Sequence, residues 1–226
     1  MSKQAEEESV NLWIEHPNPI VKYLEKGRRK KIIEAVLKVV KENDRCLDLG
    51  CGDGYLAQQI LRERKVKILG VDLDKQLLKN AQETLKKESF STCYADVRKI
   101  PLKEKFDVVY SGCILSHVKD PEKIIKEIHR LTKKNARVII QIPNDDVLLK
   151  IKKIVKTLGL SFLFPGIRMG LAKAHLIEFN LKKLRKLLEN KFLIRNVNFT
   201  GILFLPIYYM VSLQRLQKRS FKKLKI

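Results

Sequence analysis

Apolar positions along the chain follow two alternating rhythms. Ile32, Ile33, Val36, Leu37 and Val40 recur at helical spacing and predict an amphipathic helix over 28–41 with a basic face. Short, nearly unbroken apolar runs then appear at CLDLG (46–50), KILGVD (67–72), STCYA (91–95), KFDVVYS (105–111) and ARVIIQIP (136–143). Helical spacing returns between them at 55–64, 75–88 and 121–133, with Pro121 placed at a helix start after Asp120. Strands buried on both faces are apolar throughout, so this alternation implies a parallel sheet covered by helices on both sides.

Beyond Pro143 the rhythm changes. A basic amphipathic helix is predicted over 147–158, followed by the apolar, Gly- and Pro-broken segment SFLFPGIRMG (161–170) and a helix over 181–190. Two late strands, FLIRNVNFTG (192–201) and IYYMVSLQRL (207–216), are joined by residues 200–206 and should pair antiparallel at one sheet edge. No internal repeat is visible. The expected organisation is a lead-in over 1–27, containing Trp13 and the prolines Pro17 and Pro19, then one α/β domain over 28–226 with a substrate cap at 145–180.

A chain of 226 residues suits one substantial core. Its charge is less ordinary: 47 Lys and Arg against 25 Asp and Glu give +22. Such a field attracts polyanions and anionic lipid surfaces, although the lysines are spread along the whole chain as general surface dressing would be. Cys46, Cys51, Cys93 and Cys113 form no CxxC pair and read as buried thiols in a reducing compartment. The opening MSKQAEEESV is polar and acidic, unlike a secretory leader, and no apolar run reaches bilayer-spanning length. The expected location is cytoplasmic. No group of His, Cys, Asp or Glu has metal-ligand spacing.

The chemistry concentrates after the first strand. Gly50, Gly52 and Gly54 form GxGxG, a turn that lets a ligand approach the backbone. A dinucleotide fingerprint needs GxGxxG, but Tyr55 follows Gly54 here. Asp53 also puts negative charge where a pyrophosphate would lie, which favours a ligand with a cationic or zwitterionic centre. Asp72 ends the second strand, 18 residues beyond Gly54, where a carboxylate can accept from both hydroxyls of a ribose. Asp74 directly precedes KQLLKNAQETL and reads instead as a helix cap. Asp96, after the third strand, can read an adenine edge together with the amide of Val97.

Taken together, CLDLGCGDG, GVDLD, ADVRKIP and FDVVYSGCILSHVKDPEKIIKEIHRLTKKNARVIIQIPN resemble a class I S-adenosylmethionine-dependent methyltransferase. The resemblance is to the small-molecule group that includes the ubiquinone and menaquinone biosynthetic enzymes. It covers 28–143 well and 175–200 loosely. It implies a Rossmann-like fold with a mostly parallel seven-stranded sheet, an antiparallel C-terminal edge strand and helices on both faces. By the same resemblance, Asp48, Gly50, Cys51, Gly52 and Gly54 line the methionine half of S-adenosyl-L-methionine. Asp72 takes the ribose, Leu73 packs on adenine, Asp96 and Val97 hold the adenine amine and ring, and Ser111 lies where cofactor meets acceptor. The chain departs from the group at KKNAR, where glycine is usual; Asn135 tolerates a left-handed backbone there.

Methyl transfer depends mainly on alignment and exclusion of water, and needs a base only for a weakly acidic acceptor. His117, just past the fourth strand, is the candidate base; the bland alternative is loop packing. His129 reads as helix packing and His175 as a candidate cap residue. SGCI at 111–114 lacks the Asn/Asp-Pro-Pro-aromatic tetrad of exocyclic-amine enzymes, and Cys113 lacks the setting of a cytosine-C5 nucleophile. A small organic or amphiphilic acceptor is therefore favoured. Methylation of RNA or protein, and a non-catalytic cofactor-binding partner subunit, are the alternatives. The apolar runs at 159–171 and 202–213, flanked by lysines, are either core and lid or a peripheral contact with an anionic membrane.

Overall fold

A computed structural model describes residues 19–85, 89–159, 176–202 and 205–216. The chain runs α1 (Pro19–Leu37), β1 (Arg45–Leu49), α2 (Tyr55–Glu63), β2 (Lys67–Asp72), α3 (Lys75–Thr84), β3 (Phe90–Tyr94), β4 (Phe106–Gly112), a 3-10 turn (Ile114–His117), α4 (Pro121–Leu131), β5 (Thr132–Pro143), α5 (Asp145–Thr157), α6 (Leu181–Leu188), β6 (Phe192–Ile202) and β7 (Leu205–Arg215). The strands form one seven-stranded sheet in the order β3-β2-β1-β4-β5-β7-β6. The pairs β1–β2, β1–β4, β2–β3 and β4–β5 are parallel, whereas β7 runs antiparallel to both β5 and β6. This is the expected mostly parallel Rossmann-like sheet. The antiparallel β7 lies one place in from the edge, which β6 occupies.

Alternation along the strands sends side chains to two separate cores. Leu47, Leu49, Val109, Val138 and Ile140 pack with Ile124, Ile125 and Ile128 of α4 and Leu184 and Leu188 of α6. Cys46, Ile68, Val108, Tyr110 and Ile139 pack on the other side with Ile32 and Val36 of α1 and Ala57 and Ile60 of α2. Each fully buried Ile or Leu stabilises the fold by about 1.5–3 kcal/mol, so α4 is anchored chiefly by Ile124, Ile125, Ile128 and Leu131. Met210, Val211 and Leu213 are buried as well, so described residues 205–213 form a core strand.

Three boundaries differ from the sequence reading. Helix α1 begins at Pro19, nine residues before the predicted start at 28, and ends at Leu37. Its first half is organised by polar contacts: Arg28 donates to Glu25 at 2.7 and 2.9 Å and to Gln141 at 3.0 Å, and a hydrophobic pattern cannot signal such contacts. At KKNAR the chain enters β5 directly: Phe106 pairs with Thr132 and Val108 with Arg137, so residues 133–136 bulge out opposite Asp107. Asn135 is not among the described residues with positive φ, so no left-handed turn is used. Finally, α5 starts at Asp145, and the middle of the expected cap, 160–175 with SFLFPGIRMG and His175, lies outside the described residues. So do His16, Trp13 and the basic tail over 217–226.

Candidate active site

The carboxyl ends of β1 to β4 open into a cleft of about 350 Å³. Gly50, Asp72, Leu73, Asp96 and Val97 line one part, and Ile114, His117 and Val118 line another. Arg98, Lys119 and Leu176 complete the wall.

The turn after β1 is built on backbone geometry that side chains resist. Gly50, Gly52 and Gly54 have φ of 71°, 54° and 79°. A Cβ on Gly50 would meet Ile114 at 2.9 Å, and one on Gly54 would meet Leu85 at 2.9 Å and Ala81 at 3.1 Å. Gly52 differs, because its nearest neighbour would be Leu77 at 3.9 Å. Its glycine meets the left-handed backbone and leaves an open surface beside the turn.

Asp72 ties the turn to the second strand. Its carboxylate accepts from the Gly52 amide at 2.9 Å and the Asp74 amide at 3.0 Å. Asp74 has the capping role expected of it, accepting from the amides of Gln76 and Leu77 at 2.8 and 3.0 Å. Leu73 between them is 54% exposed, an apolar face presented to the cleft. Asp96 accepts from the Arg98 amide at 2.8 Å and from the guanidinium at 2.6 and 3.0 Å. That pairing holds the Asp96 carboxyl below its ordinary value. Arg98 thus fixes Asp96, and its place two residues on in ADVRKIP is the sequence signal for that pairing.

Asp48 is the electrostatic anomaly. It is fully buried and neither carboxylate oxygen has a hydrogen-bond partner. Tyr110 is its register neighbour on β4, yet no hydrogen bond of ordinary geometry satisfies either group. Burial raises the Asp48 carboxyl to about 8; nearby Tyr110 opposes the rise, while Asp72 and Asp53 reinforce it. Burial without a partner favours the neutral acid, and a cation placed beside Asp48 would favour its charged form again.

The remaining candidates are placed differently from one another. His117 lines the cleft on the 3-10 turn. Ser111 is buried, and its hydroxyl donates to the Leu49 carbonyl at 3.0 Å, so it braces β1 against β4 and does not line the cleft. Cys51 is also buried; its amide donates to Val71 at 3.2 Å, and burial raises its thiol far above the ordinary value. His129 packs edge-on against Phe192 with ring centroids 5.6 Å apart, away from the cleft. Among the described residues no group of three or more His, Cys, Asp or Glu is arranged to hold a metal ion.

A seven-stranded sheet of this order, with a glycine turn after β1 and an acid closing β2, defines a class I methyltransferase fold. Residues 40–159, more than half the chain, match the family described as methyltransferase domain, and the chain belongs to that family. Among curated relatives, the ubiquinone biosynthesis O-methyltransferase of Pelagibacter ubique is 33% identical over 68% of this chain and 63% of its own length. The mitochondrial arginine-hydroxylase NDUFAF5 of Homo sapiens is 30% identical over 58% of this chain and 37% of its own. The chain therefore spans about a third to two thirds of the length of these relatives. Magnesium protoporphyrin IX methyltransferase from Synechocystis, solved with bound S-adenosylhomocysteine, shares the fold with a TM-score of 0.66 at 21% identity, over 87% of each chain.

S-adenosyl-L-methionine, the methyl donor of this family, fits the residues present. Its ammonium and sulfonium centres match the unpartnered Asp48 and the acidic turn, and its adenosine matches an acid-tipped β2 followed by an exposed leucine. When bound, it supplies an electrophilic methyl group; the protein supplies orientation and a dry surface.

Proposed function

We propose that this chain is an S-adenosyl-L-methionine-dependent methyltransferase acting on a small organic or amphiphilic acceptor. The observation that carries the reading is the cleft in which a glycine turn, the β2 carboxylate Asp72 and exposed Leu73 lie together beside the buried, unpartnered Asp48. In this reading Asp48 and the Gly50–Gly54 turn hold the methionine half, Asp72 the ribose, Leu73 the adenine face, and Asp96 with Val97 its edge. Cys51 and Ser111 contribute by shaping the turn and the β1–β4 seam. His117 faces the acceptor side and acts as base where the acceptor must lose a proton. Residues 145–180 form the acceptor cap.

An amphiphilic acceptor is supported by the relationship to a ubiquinone biosynthesis enzyme and by α5, where Lys150, Lys153 and Lys156 flank exposed Ile154 and Leu158. A cytoplasmic location, with peripheral contact at an anionic membrane face, accords with that surface and with four free thiols. No described helix is long and apolar enough to cross a membrane. The net charge of +22 favours RNA or protein methylation as the second reading.

The test is calorimetric titration with S-adenosylmethionine and S-adenosylhomocysteine beside an Asp72→Ala variant, followed by labelled-methyl transfer to quinone precursors, lipids, small amines and RNA. Binding that Asp72→Ala weakens strongly, with label in a small acceptor, is expected. Label only in RNA or protein selects the second reading. Absence of binding by folded protein overturns the enzyme reading in favour of a partner-dependent subunit.

A further inference from the structure

Next to the cofactor cleft lies a second polar cluster that the site above does not use. Cys113 follows β4 with φ 69°, a left-handed backbone on a residue that carries a Cβ, and it opens the 3-10 turn bearing Ile114 and His117. A non-glycine residue keeps that strained conformation only where its surroundings over-determine it. Here they do. The Cys113 amide donates to the Gln141 carbonyl at 3.1 Å. The Gln141 side-chain amide in turn donates to the Arg28 carbonyl at 3.1 Å. Arg28 spreads its guanidinium over three partners: two bonds to Glu25, one to Gln141 Oε1 and one to Cys113 Sγ at 3.7 Å. The Tyr208 ring lies 5.6 Å from the guanidinium carbon, and its hydroxyl donates to Glu25 at 3.3 Å. Glu25, Cys113 and Gln141 are all buried.

Downstream, the turn reaches the cleft. The Cys113 carbonyl accepts from the Ser116 hydroxyl at 3.0 Å, and the Ser116 carbonyl accepts from the Leu176 amide at 2.8 Å. Ile114 stands where any Cβ on Gly50 would collide with it. Ile114, His117 and Leu176 all line the cleft.

We propose that the Glu25–Arg28 pair of α1 is a positioning device that holds the left-handed Cys113 turn, and through it sets Ile114 and His117 against the cofactor and acceptor. A fork of five donors can bridge Glu25, Gln141 and Cys113 together, which a lysine ammonium cannot. Arg28 touches no reacting atom; it acts through the turn. This assignment rests on the methyltransferase reading for its binding arm alone.

The experiment compares Arg28→Met with Arg137→Met, which removes a part-buried guanidinium bonded to Asp44 at 2.7 Å at the opposite end of β5. Thermal stability, the Kd for S-adenosylhomocysteine by calorimetry, and the imidazole resonances of His117 in histidine-labelled protein are read for each. Both variants lose stability. Only Arg28→Met shifts the His117 resonances and raises the Kd, by about tenfold. Adding Cys113→Gly, which accepts the left-handed backbone freely, restores both readouts without restoring the lost ion pair. Arg28→Lys and Glu25→Gln carry the same comparison if Arg28→Met does not fold. Equal behaviour of the Arg28 and Arg137 variants, or no rescue by Cys113→Gly, overturns the proposal. A parent chain that binds no S-adenosylhomocysteine overturns the cofactor reading, and the His117 resonances then decide the positioning device by themselves.

Discussion

The two halves of the sheet solve the problem of placing functional groups by different means. On the β1–β3 side, the groups proposed to face the cofactor come from the strand tips and turns themselves: amides of the glycine turn, Asp72, Leu73, Asp96. Their partners lie within the same half, as in Asp96 with Arg98 and Asp72 with the Gly52 and Asp74 amides. On the β4–β7 side the turn that carries His117 is held by Arg28, Gln141 and Tyr208, brought together from α1, β5 and β7. Local geometry suits a ligand whose shape never varies. Long-range assembly ties the His117 turn to elements far apart in the chain, and that turn meets the glycine turn where Ile114 lies against Gly50.

Removing Asp72 should separate the halves most sharply. Asp72→Ala deletes the acceptor for the Gly52 and Asp74 amides as well as the proposed ribose contact, and charge-assisted bonds are each worth about 1.5–3 kcal/mol. S-adenosylhomocysteine affinity should fall at least about a hundredfold by calorimetry, while the Cys113 turn, followed by the His117 resonances of the ligand-free chain, stays unchanged. Movement of that turn would mean that the halves are not independent.

Asp48 gives the next effect, through pH. Its folded carboxyl, raised to about 8, binds a proton that the unfolded carboxyl has released from about pH 4 upward. Between those values the native state holds the extra proton, so stability falls as pH rises and levels off above 8. The loss should be seen as a decline in denaturation midpoint between about pH 4 and 8 that Asp48→Asn abolishes. A ligand ammonium beside Asp48 lowers its pKa again. Binding at pH 7 should therefore release protons, detectable as a dependence of calorimetric heat on buffer ionisation enthalpy, and Asp48→Asn should lose that release.

Within the glycine turn, two substitutions divide folding from binding. Gly54→Ala meets Leu85 and Ala81 on a left-handed backbone and should destabilise the chain by about 2 kcal/mol in urea denaturation. Gly52→Ala has room for its Cβ and should cost about 1 kcal/mol of stability, yet weaken S-adenosylhomocysteine binding more than Gly54→Ala does. The smallest effect belongs to Asp74→Ala, which removes a helix cap at a cost of about 1 kcal/mol and leaves cofactor affinity near that of the parent.

Asp72 and Asp74 show how a sequence separates function from structure. Both are acids within five residues of each other, but Asp72 terminates a strand opposite a glycine turn and Asp74 precedes a helical run. Each position implies its own hydrogen-bonding partner, and the structure confirms the cap. Ser111 shows the opposite: its place at the end of β4 says nothing about which way a hydroxyl turns, and it donates inward to Leu49. Helix α1 is a third case. Its stripe from Ile32 onward is visible as periodicity, whereas Glu25 and Arg28 look like two ordinary surface charges until β5 and β7 are in place.

What the sequence determined by itself is the part of this protein governed by neighbours along the chain: strand and helix alternation, the sharp glycine turn, the acid closing β2 and the cap of α3. Period-two and helical patterns, steric limits on φ and capping bonds act over a few residues, so they can be read without a fold. Tertiary structure alone decided that Asp48 is sealed away without a partner, that Ser111 braces a seam and that Arg28 reaches Cys113 and Gln141. Burial and long-range hydrogen bonding depend on which distant segments fill the surrounding space, and only the packed sheet with α1 laid across it specifies that.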